Sequence, residues 1–358
     1  MVAAVRAFAL GTRLTEVPAP GPWLAAAHRH GVATVVADVL RRSDLALPPE
    51  LAAARFTGPA ALLRTMADLT PLARRLDDAG VRWLAVKGPV LAGVVYRTPN
   101  VRSYNDLDVL VHPLDLPVVL DLLREHGARL LDRNWEQVAR SGQAQISWAL
   151  PHGTKLDLHW HLVNREAVRA RIGERTPALL ERRTRVTLEQ TPVWSLDPLD
   201  LVLHTAQHAC LSGAHALKWL LDVQQALAWA GPDPADLARR AQAAHLDLVL
   251  AVVADRTARY VDPGVLRHVR PPVHGAAWRA AARAVSDRVP PGDPGRWSGR
   301  AVYASTRRDT PGSALATVRT LRRNVLRRAG EPVPSSIGLE RGTTRDRDAW
   351  LGLAARHG

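Results

Sequence analysis

Cysteine is almost absent from the sequence, since Cys210 is the only one among 358 residues. An internal disulfide is therefore excluded, and we expect a reducing compartment, the cytoplasm. Long apolar runs are also lacking, because none approaches the roughly 18–20 residues that span a membrane. Residues 1–14 lack the apolar core and cleavage site of a signal peptide. These absences predict a protein that neither crosses a membrane nor relies on disulfides.

Length and composition are those of an ordinary globular protein, with 47% apolar and 23% charged residues. At about 150 residues per domain, the length predicts two domains or one large one. A chain of this length buries a sizeable core without covalent staples. Collagen, a coiled coil and wholesale disorder are excluded.

Lysine is scarce although the chain is basic. Lys and Arg total 48 against 34 acidic residues, a net charge of +14, yet the only lysines are Lys87, Lys155 and Lys218. The arginine excess is typical of a GC-rich genome and of a solvated surface, although basic chains also bind nucleic acid, membranes or phosphate-rich ligands. Because nearly all basic residues of this chain are arginines, the three lysines are of special interest. Each has a compact ammonium group where the chain usually has a planar guanidinium group.

Apolar periodicity divides the chain into helical flanks and a central α/β segment. It predicts an α+β fold with a small mixed sheet, in four parts: a helical lead-in (1–80), an α/β core (81–195), a C-terminal helical domain (196–285), and a linker, basic helix and loose tail (286–358). Helices are predicted at 23–30, 32–42, 49–78, 89–96, 114–126, 197–211, 215–230, 234–245 and 247–260. Strands are predicted at 81–86, 107–111, 128–131, 143–148 and 155–160.

The strongest local feature is the sequence DLDVLV at 106–111. Residues two apart on a strand face the same side, so Asp106 and Asp108 lie side by side while Leu107 and Val109 face the core. Two carboxylates this close repel each other unless a cation or a shared proton compensates. Such a pair suits Mg²⁺, which is bound by one or two carboxylates plus substrate phosphates. The alternative is an acidic pair at a loop edge that binds nothing.

A second alternating strand carries Lys155, Asp157 and His159 on its polar face. If this strand pairs with the first, Asp157 becomes a third carboxylate at the same place. Three carboxylates are enough to hold two divalent ions.

The turn Lys87-Gly88 precedes the acidic pair and leads into a helix that begins near Pro89. Glycine lets a phosphate approach the backbone, and a helix N-terminus offers unpaired N–H groups. Lys87 adds a movable positive charge. The alternative is an ordinary turn from strand to helix.

Together these segments resemble the DNA polymerase β-like nucleotidyltransferase superfamily and, more closely, a bacterial family of uncharacterised nucleotidyltransferases. The resemblance covers roughly residues 20–260. Lys87-Gly88 stands where the wider superfamily has Gly-Ser, and the narrower family shows Lys-Gly. The motifs that carry the resemblance are LAVKG at 84–88, Arg102, DLDVLV at 106–111, LDLHW at 156–160, His204 and LKWLLDV at 217–223.

The resemblance implies transfer of an NMP from an NTP to a hydroxyl acceptor with loss of pyrophosphate. Asp106, Asp108 and Asp157 would be the catalytic residues and the ligands of Mg²⁺ or Mn²⁺, with Asp157 also able to accept the hydroxyl proton. The acceptor, whether a small molecule, a peptide or RNA, is left open. Nucleotide and phosphate binding falls to Lys87, Gly88, Arg102 and Lys218, and the rim of the site to His159, Tyr104 and Asp222.

Two further features fall outside this scheme. His204 and His208 are spaced like a zinc pair, but Thr205 stands where a catalytic glutamate would be, which favours packing within a helix. The segment 315–328 is basic, with the default interpretation of a solvated helix face. It lacks the aromatic residues of a single-strand binder. Its arginines are Arg319, Arg322, Arg323, Arg327 and Arg328.

Two alternatives stay open. One is a glycosyltransferase that binds a sugar nucleotide through its D-x-D, although such enzymes usually place a Rossmann-like half before that motif. The other is a non-catalytic relative, such as an antitoxin, a scaffold or a nucleic-acid-binding module. Nucleotide-sugar binding would favour the first, and salt-dependent, metal-independent RNA or DNA binding the second. No membrane partner is expected, and nucleic acid is not favoured.

Overall fold

The computed structural model describes residues 1–17, 21–170, 173–272, 274–291, 297–328 and 340–357. Its helices are α1 Val2–Leu10, α2 Trp23–Arg29, α3 Ala33–Arg42, α4 Pro49–Ala52, α5 Ala54–Asp78, α6 Leu116–Glu125, α7 Trp135–Ser141, α8 Glu166–Arg169, α9 Thr176–Glu181, α10 Pro198–Leu211, α11 Leu217–Ala230, α12 Pro234–Ala243, α13 Asp247–Tyr260, α14 Ala276–Arg288, α15 Trp297–Ala304, α16 Thr310–Arg328 and α17 Thr344–His357. Its strands are β1 Trp83–Ala85, β2 Asp106–Val111, β3 Arg129–Leu130, β4 Gln145–Ala149, β5 Lys155–His159, β6 Thr184–Leu188 and β7 Thr191–Ser195.

The chain forms two compact units, each assembled from three stretches of sequence. The helical unit comprises Met1–Pro59, Val95–Ser103 and Pro198–Glu331. The sheet unit comprises Ala60–Val94, Tyr104–Asp197 and Pro332–Gly358. The predicted lead-in of residues 1–80 is thus divided between the two units, within helix α5.

The sheet unit is built on a mixed sheet, which confirms the predicted fold class. Among the described residues the sheet has seven strands in the order β3-β4-β5-β2-β1-β7-β6. Strand β2 runs parallel to β5, and β1 runs parallel to β7, while the other neighbouring pairs are antiparallel. The predicted hairpin of β4 and β5 is present, whereas the hairpin of β6 and β7 was not predicted.

Strands β2 and β5 lie at the centre of this sheet because their alternate residues are apolar. The core of the unit includes Leu107 and Val109 of β2, Leu156 and Leu158 of β5, and the fully buried Trp160. Burying one large aromatic side chain removes roughly 150–250 Å² of surface from water. The apolar face therefore fixes the strand register, and the polar residues between these positions are forced to the other face.

The helix predicted at 89–96 is present, but most of it is not an α-helix. Residues 89–90 are α-helical, and Leu91–Val95 forms a π-helix. Gly93 lies within it, and an added Cβ there would be 2.9 Å from a methyl carbon of Leu188. Glycine in a helix interior destabilises an α-helix by roughly 1 kcal/mol. Close packing and weak helix propensity thus favour a wider, shorter turn here.

The predicted loose tail is wrong for its second half, because Thr344–His357 forms helix α17. Trp350 of this helix is fully buried in the core of the sheet unit, with its ring 5.7 Å from that of Trp135. Its indole N–H donates to the carbonyl oxygen of Gln143 at 2.7 Å. The helix was not predicted because its sequence has many charged residues, although the buried Trp350 anchors it to the core. Residues 329–339 of the predicted tail lie outside the described residues.

The helical unit contains the predicted C-terminal helices at nearly the expected bounds. Within it Arg256 of α13 is almost fully buried and donates to the carbonyl oxygens of Ala214 and Val289 and to the hydroxyl of Ser286. A buried arginine is tolerated when its N–H groups are hydrogen-bonded in this way. No helix in the described part of the chain is both long enough and apolar enough to cross a bilayer.

The predicted linker and basic helix are altered in detail. Helix α14 extends to Arg288 and α15 begins at Trp297, so the linker is shorter than the predicted 286–300, and its residues 292–296 lie outside the described ones. Helix α16 confirms the basic helix, with Arg319 and Arg322 exposed. The side chains of Arg323, Arg327 and Arg328 lie outside the description.

Candidate active site

Strand β2 begins with Asp106 and Asp108 as its first and third residues, and both carboxylates lie on one face of the sheet. Asp106 is its first residue and is partly exposed, whereas Asp108 is only 2% exposed. The residues between and after them, Leu107 and Val109, are buried in the core. The alternation predicted from the sequence therefore holds, and it brings the acidic pair together at the start of the strand.

Two basic side chains converge on a single oxygen of Asp108. The Lys87 ammonium lies 2.9 Å from Oδ1, and His159 Nε2 donates to the same oxygen at 3.0 Å. The other oxygen, Oδ2, is buried and has no hydrogen-bond partner among the described residues. An unsatisfied buried acceptor costs about 1–3 kcal/mol, more when charged, so its presence calls for an explanation such as an ion that binds there.

The two neighbouring carboxyl groups have opposite pKa shifts. Burial, followed by the negative charge of Asp108, raises the pKa of Asp106 above its ordinary value. Burial alone would raise the pKa of Asp108 as well, but the charge of Lys87 and the hydrogen bond from His159 outweigh it and hold that pKa well below the ordinary value. The Asp108 carboxylate is therefore firmly ionised, and a cation bound to Asp106 would relieve the repulsion between the pair.

Asp157 lies beside Asp108, as the predicted pairing of β2 with β5 requires, because the two residues are direct partners in the register. Its Oδ1 accepts a hydrogen bond from the Ser147 hydroxyl at 2.7 Å. The Lys155 ammonium lies 2.9 Å from Oδ1 and 3.0 Å from Oδ2. Burial tends to lower the pKa of Lys155, but the hydrogen bond and charge of Asp157 outweigh it and raise the pKa.

The structure brings the three carboxylates onto neighbouring strands without gathering them around one ion. Among the residues the structure describes, no three His, Cys, Asp or Glu side chains are placed to hold a common metal. Asp106 and the unpartnered Oδ2 of Asp108 nevertheless fit one Mg²⁺, which in nucleotide sites needs only one or two carboxylates besides phosphates. Asp157 does not fit as a ligand in the same way, because Ser147 and Lys155 hold its oxygens.

The turn after β1 is shaped by its contact with β2. Gly88 has a φ of +50°, and an added Cβ would lie 2.8 Å from the carbonyl oxygen of Asp106. Glycine is therefore required both by the left-handed backbone and by the close approach. The predicted phosphate cradle is smaller than expected, since Pro89 has no N–H and the N–H of Val90 donates to the Lys87 carbonyl. Lys87 itself remains at the site.

Residues 20–262, about two thirds of the chain, match the model of a family described as uncharacterised nucleotidyltransferase. The chain belongs to this nucleotidyltransferase family. The matched region contains the acidic pair, the Lys-Gly turn and helices α2 to α13. A search of curated proteins finds no match.

Arg102, which was predicted to reach a phosphate, pairs with a buried carboxylate in the structure, and its contact with nucleotide stays a prediction. Its side chain is 5% exposed and lies in the helical unit, where Nε is 2.6 Å from one oxygen of Asp222 and Nη2 is 2.9 Å from the other. The Tyr96 hydroxyl donates to the same carboxylate at 2.7 Å. Burial and the charge of Asp222 raise the pKa of Tyr96 well above its ordinary value. Arg102 and Asp222 thus form a buried structural pair rather than an open rim.

Lys218 also belongs to the helical unit and is half-buried at the start of α11. Its backbone N–H donates to the carbonyl oxygen of His30, and its methylene groups lie against Gly31. Its contact with nucleotide stays a prediction. On the adjoining helices, the ring of Trp219 meets those of His208 and His215 edge-on. The predicted packing of the histidine pair thus has a visible counterpart at His208.

Tyr104 and His159 were both predicted at the rim of the nucleotidyltransferase site. Tyr104 is 6% exposed and packs near Gly88, so it supports the turn from within. His159 is closer to the chemistry than a rim residue, because it bonds Asp108 directly. Its neighbour His161 is buried and accepts the N–H of Val163, and burial with the charge of a nearby arginine lowers its pKa to about 3.

Sequence reasoning missed the residues that hold Asp157. Ser147 donates its hydroxyl to Asp157, and its own backbone N–H donates to Asp132 at 2.6 Å. Lys155 was correctly placed on the polar face of its strand beside Asp157, but it was not assigned to the site.

Proposed function

We propose that the protein transfers a nucleoside monophosphate from an NTP to a hydroxyl group, with Mg²⁺ or Mn²⁺ held by Asp106 and Asp108. The observation that carries the proposal is the buried, unpartnered Oδ2 of Asp108 beside the Asp106 carboxylate. In a member of a nucleotidyltransferase family, an oxygen left open in this way suits a cation that arrives with its substrate.

The reaction balances as a phosphoryl-type substitution. The acceptor oxygen forms a bond to the α-phosphorus, and the bond from that phosphorus to the bridging oxygen of the β-phosphate breaks. Pyrophosphate leaves with the electron pair, and the hydroxyl proton passes to Asp157. A bound Mg²⁺ neutralises charge on the phosphates and on the leaving group.

This chain's own residues orient the reactants. His159 and Lys87 hold one oxygen of Asp108, and its other oxygen, buried and without a partner among the described residues, is left for the cation. Lys87, whose side chain is 19% exposed, also offers positive charge to a phosphate. The order of strand, Lys-Gly turn, acidic strand and third carboxylate on the neighbouring strand supports placement with the polymerase β-like nucleotidyltransferases.

The proposal is tested by calorimetric titration of each NTP with and without Mg²⁺. The wild type is compared with an Asp106→Asn/Asp108→Asn variant and with Asp121→Asn, a control whose carboxylate is 70% exposed on α6 of the same unit. We expect metal-dependent binding that the double variant loses and the control keeps. Release of pyrophosphate from the bound NTP, with water as a slow acceptor, then establishes the bond that breaks.

Four results would contradict the proposal. If the folded wild type binds no NTP, or binds NTP equally well without metal, the proposed metal-dependent donor site does not exist. UDP-glucose binding in place of NTP binding would favour a glycosyltransferase. Tight, salt-sensitive RNA binding without metal would favour a non-catalytic role.

A further inference from the structure

Lys155 occupies the position on Asp157 that a chelated cation would take. Its ammonium is nearly equidistant from the two carboxylate oxygens, at 2.9 and 3.0 Å. The Lys155 side chain is 41% exposed, while that of Asp157 is 6% exposed. The ammonium therefore covers the outer side of a buried carboxylate and faces the solvent from which substrates arrive.

The inner side of Asp157 is also engaged. Ser147 donates its hydroxyl to Oδ1, and Asp132, itself buried, holds the backbone of Ser147. This support fixes the orientation of the Asp157 carboxylate toward Lys155. By contrast, Asp108 keeps one buried oxygen without a partner among the described residues. One position for a divalent ion is thus open, and the second is already filled by an ammonium group.

Charge balance leads to the same assignment. Three carboxylates (Asp106, Asp108 and Asp157) and two ammonium groups (Lys87 and Lys155) lie within ion-pair reach or electrostatic range of one another. Together they carry one net negative charge when all are ionised, and one divalent ion brings the site to +1. A site with three carboxylates, two divalent ions and no lysine would have the same net charge of +1. A second divalent ion at Asp157 would have to displace the Lys155 ammonium from both carboxylate oxygens, whereas Lys87 lies on only one oxygen of Asp108.

We propose that the site binds one divalent ion, at Asp106 and Asp108, and that the Lys155 ammonium on Asp157 takes the place of a second. Lys155 then supplies the positive charge beside the attacking hydroxyl oxygen. The inference rests on the proposed function and narrows it to one-metal chemistry. It also accounts for lysine at this position in a chain that has only three lysines, since a compact point charge replaces an ion better than a planar guanidinium does.

The test counts bound Mn²⁺ in the presence of a non-hydrolysable NTP analogue, by electron paramagnetic resonance of the free ion. We expect one Mn²⁺ in the wild type and in Lys155→Arg, which keeps the charge. Lys155→Ala frees Asp157, and we expect two Mn²⁺ with the spin coupling of ions about 3.5–4 Å apart. Arg129→Ala, which removes an exposed charge from the same sheet, should leave the count at one.

Each outcome of the Mn²⁺ count either supports or contradicts the inference. Two Mn²⁺ in the wild type would overturn the inference while leaving the proposed function intact, and so would a count of one in a folded Lys155→Ala variant. No Mn²⁺ bound by the folded wild type would overturn both. If Lys155→Ala does not fold, by circular dichroism, Lys155→Met keeps the apolar stem and replaces it in the same count.

Discussion

Two buried aspartates, one in each compact unit, differ in what their second oxygen contacts. Asp222 in the helical unit is 3% exposed and receives donors on both oxygens, from Arg102 and Tyr96. Asp108 in the sheet unit is 2% exposed and equally well paired on Oδ1, but its Oδ2 has no partner within the described part of the chain.

The difference separates a fully paired carboxylate from one that, in the proposed function, binds a cation. Complete pairing makes an aspartate a tie between segments, since a donor on each oxygen leaves no position for a ligand. Partial pairing holds the carboxylate in place and keeps one oxygen available. Burial and an adjacent basic residue alone do not distinguish the two cases, because both aspartates have them.

The largest expected effect comes from breaking the structural pair. Arg102→Met leaves the Asp222 carboxylate buried without its guanidinium, and such losses cost about 3–5 kcal/mol of unfolding free energy. Urea unfolding measures it. The double variant Arg102→Met/Asp222→Leu removes the stranded charge and should recover most of the loss. A change below about 1 kcal/mol in the single variant would show that the pair is not structural.

The second prediction is the converse change in the sheet unit. Asp108→Asn keeps the shape of the side chain, and Lys87 can turn toward solvent, so we expect unfolding free energy to stay within about 1 kcal/mol of wild type. Metal-dependent NTP affinity should fall by at least about a hundredfold, the upper range for loss of a ligand's supporting partner. Calorimetry and urea unfolding on the same samples check both. A stability loss as large as that of Arg102→Met would erase the distinction between the aspartates.

The third prediction concerns how His161, a neighbour of His159, makes the stability depend on pH. The folded-state pKa of His161 is about 3, against 6.5 in an unfolded chain, so only the unfolded state binds a proton between these values. The contribution of the neutral His161 to the free energy of unfolding is fully present above pH 6.5. It is lost as the pH falls toward 3, and the loss is about 2 kcal/mol at pH 5. His161→Asn keeps an acceptor for Val163 and should flatten the dependence of the melting temperature between pH 7 and 5. An unchanged slope would mean that other groups dominate it.

The smallest effect compares two glycines of the sheet unit. Gly80 and Gly88 have φ values of +68° and +50°, but an added Cβ meets nothing within 4 Å at Gly80 and lies 2.8 Å from the Asp106 carbonyl at Gly88. Gly80→Ala should lose roughly 1–2 kcal/mol through backbone strain, and Gly88→Ala should lose more, because its Cβ also meets a backbone carbonyl oxygen. Only Gly88→Ala should also weaken NTP binding, by several-fold, because it displaces the start of β2. Equal NTP affinity in the two variants would contradict the role given to Gly88.

Sequence patterns predicted the part of the site that depends on short-range periodicity. The two-residue period placed Asp106 beside Asp108, and the alternation around Asp157 was strong enough to predict its strand. The pairing of the two strands then followed as a hypothesis that the register confirms. These features need only local information, because one apolar face is enough to orient each strand.

The features that were missed depend on distant residues or on a weak local signal. Arg102 and Asp222 are 120 positions apart, and no local pattern tells an arginine that pairs from one that binds phosphate. The hairpin of β6 and β7 contains Pro192, which argues against a strand interior. Helix α17 packs through Trp350, Leu353 and Ala354, whose helical spacing was the available signal in a short segment with many charged residues.

The burial of Trp350 has a consequence for how the protein is made on the ribosome. The last strand of the sheet ends at Ser195, but the helix that covers part of its core is translated about 150 residues later. At 5–20 residues per second, that interval lasts about 8–30 s. Throughout it the nascent sheet unit exposes the apolar surface that Trp350 later covers. The sheet unit therefore reaches its final form only after helix α17 has left the ribosomal tunnel.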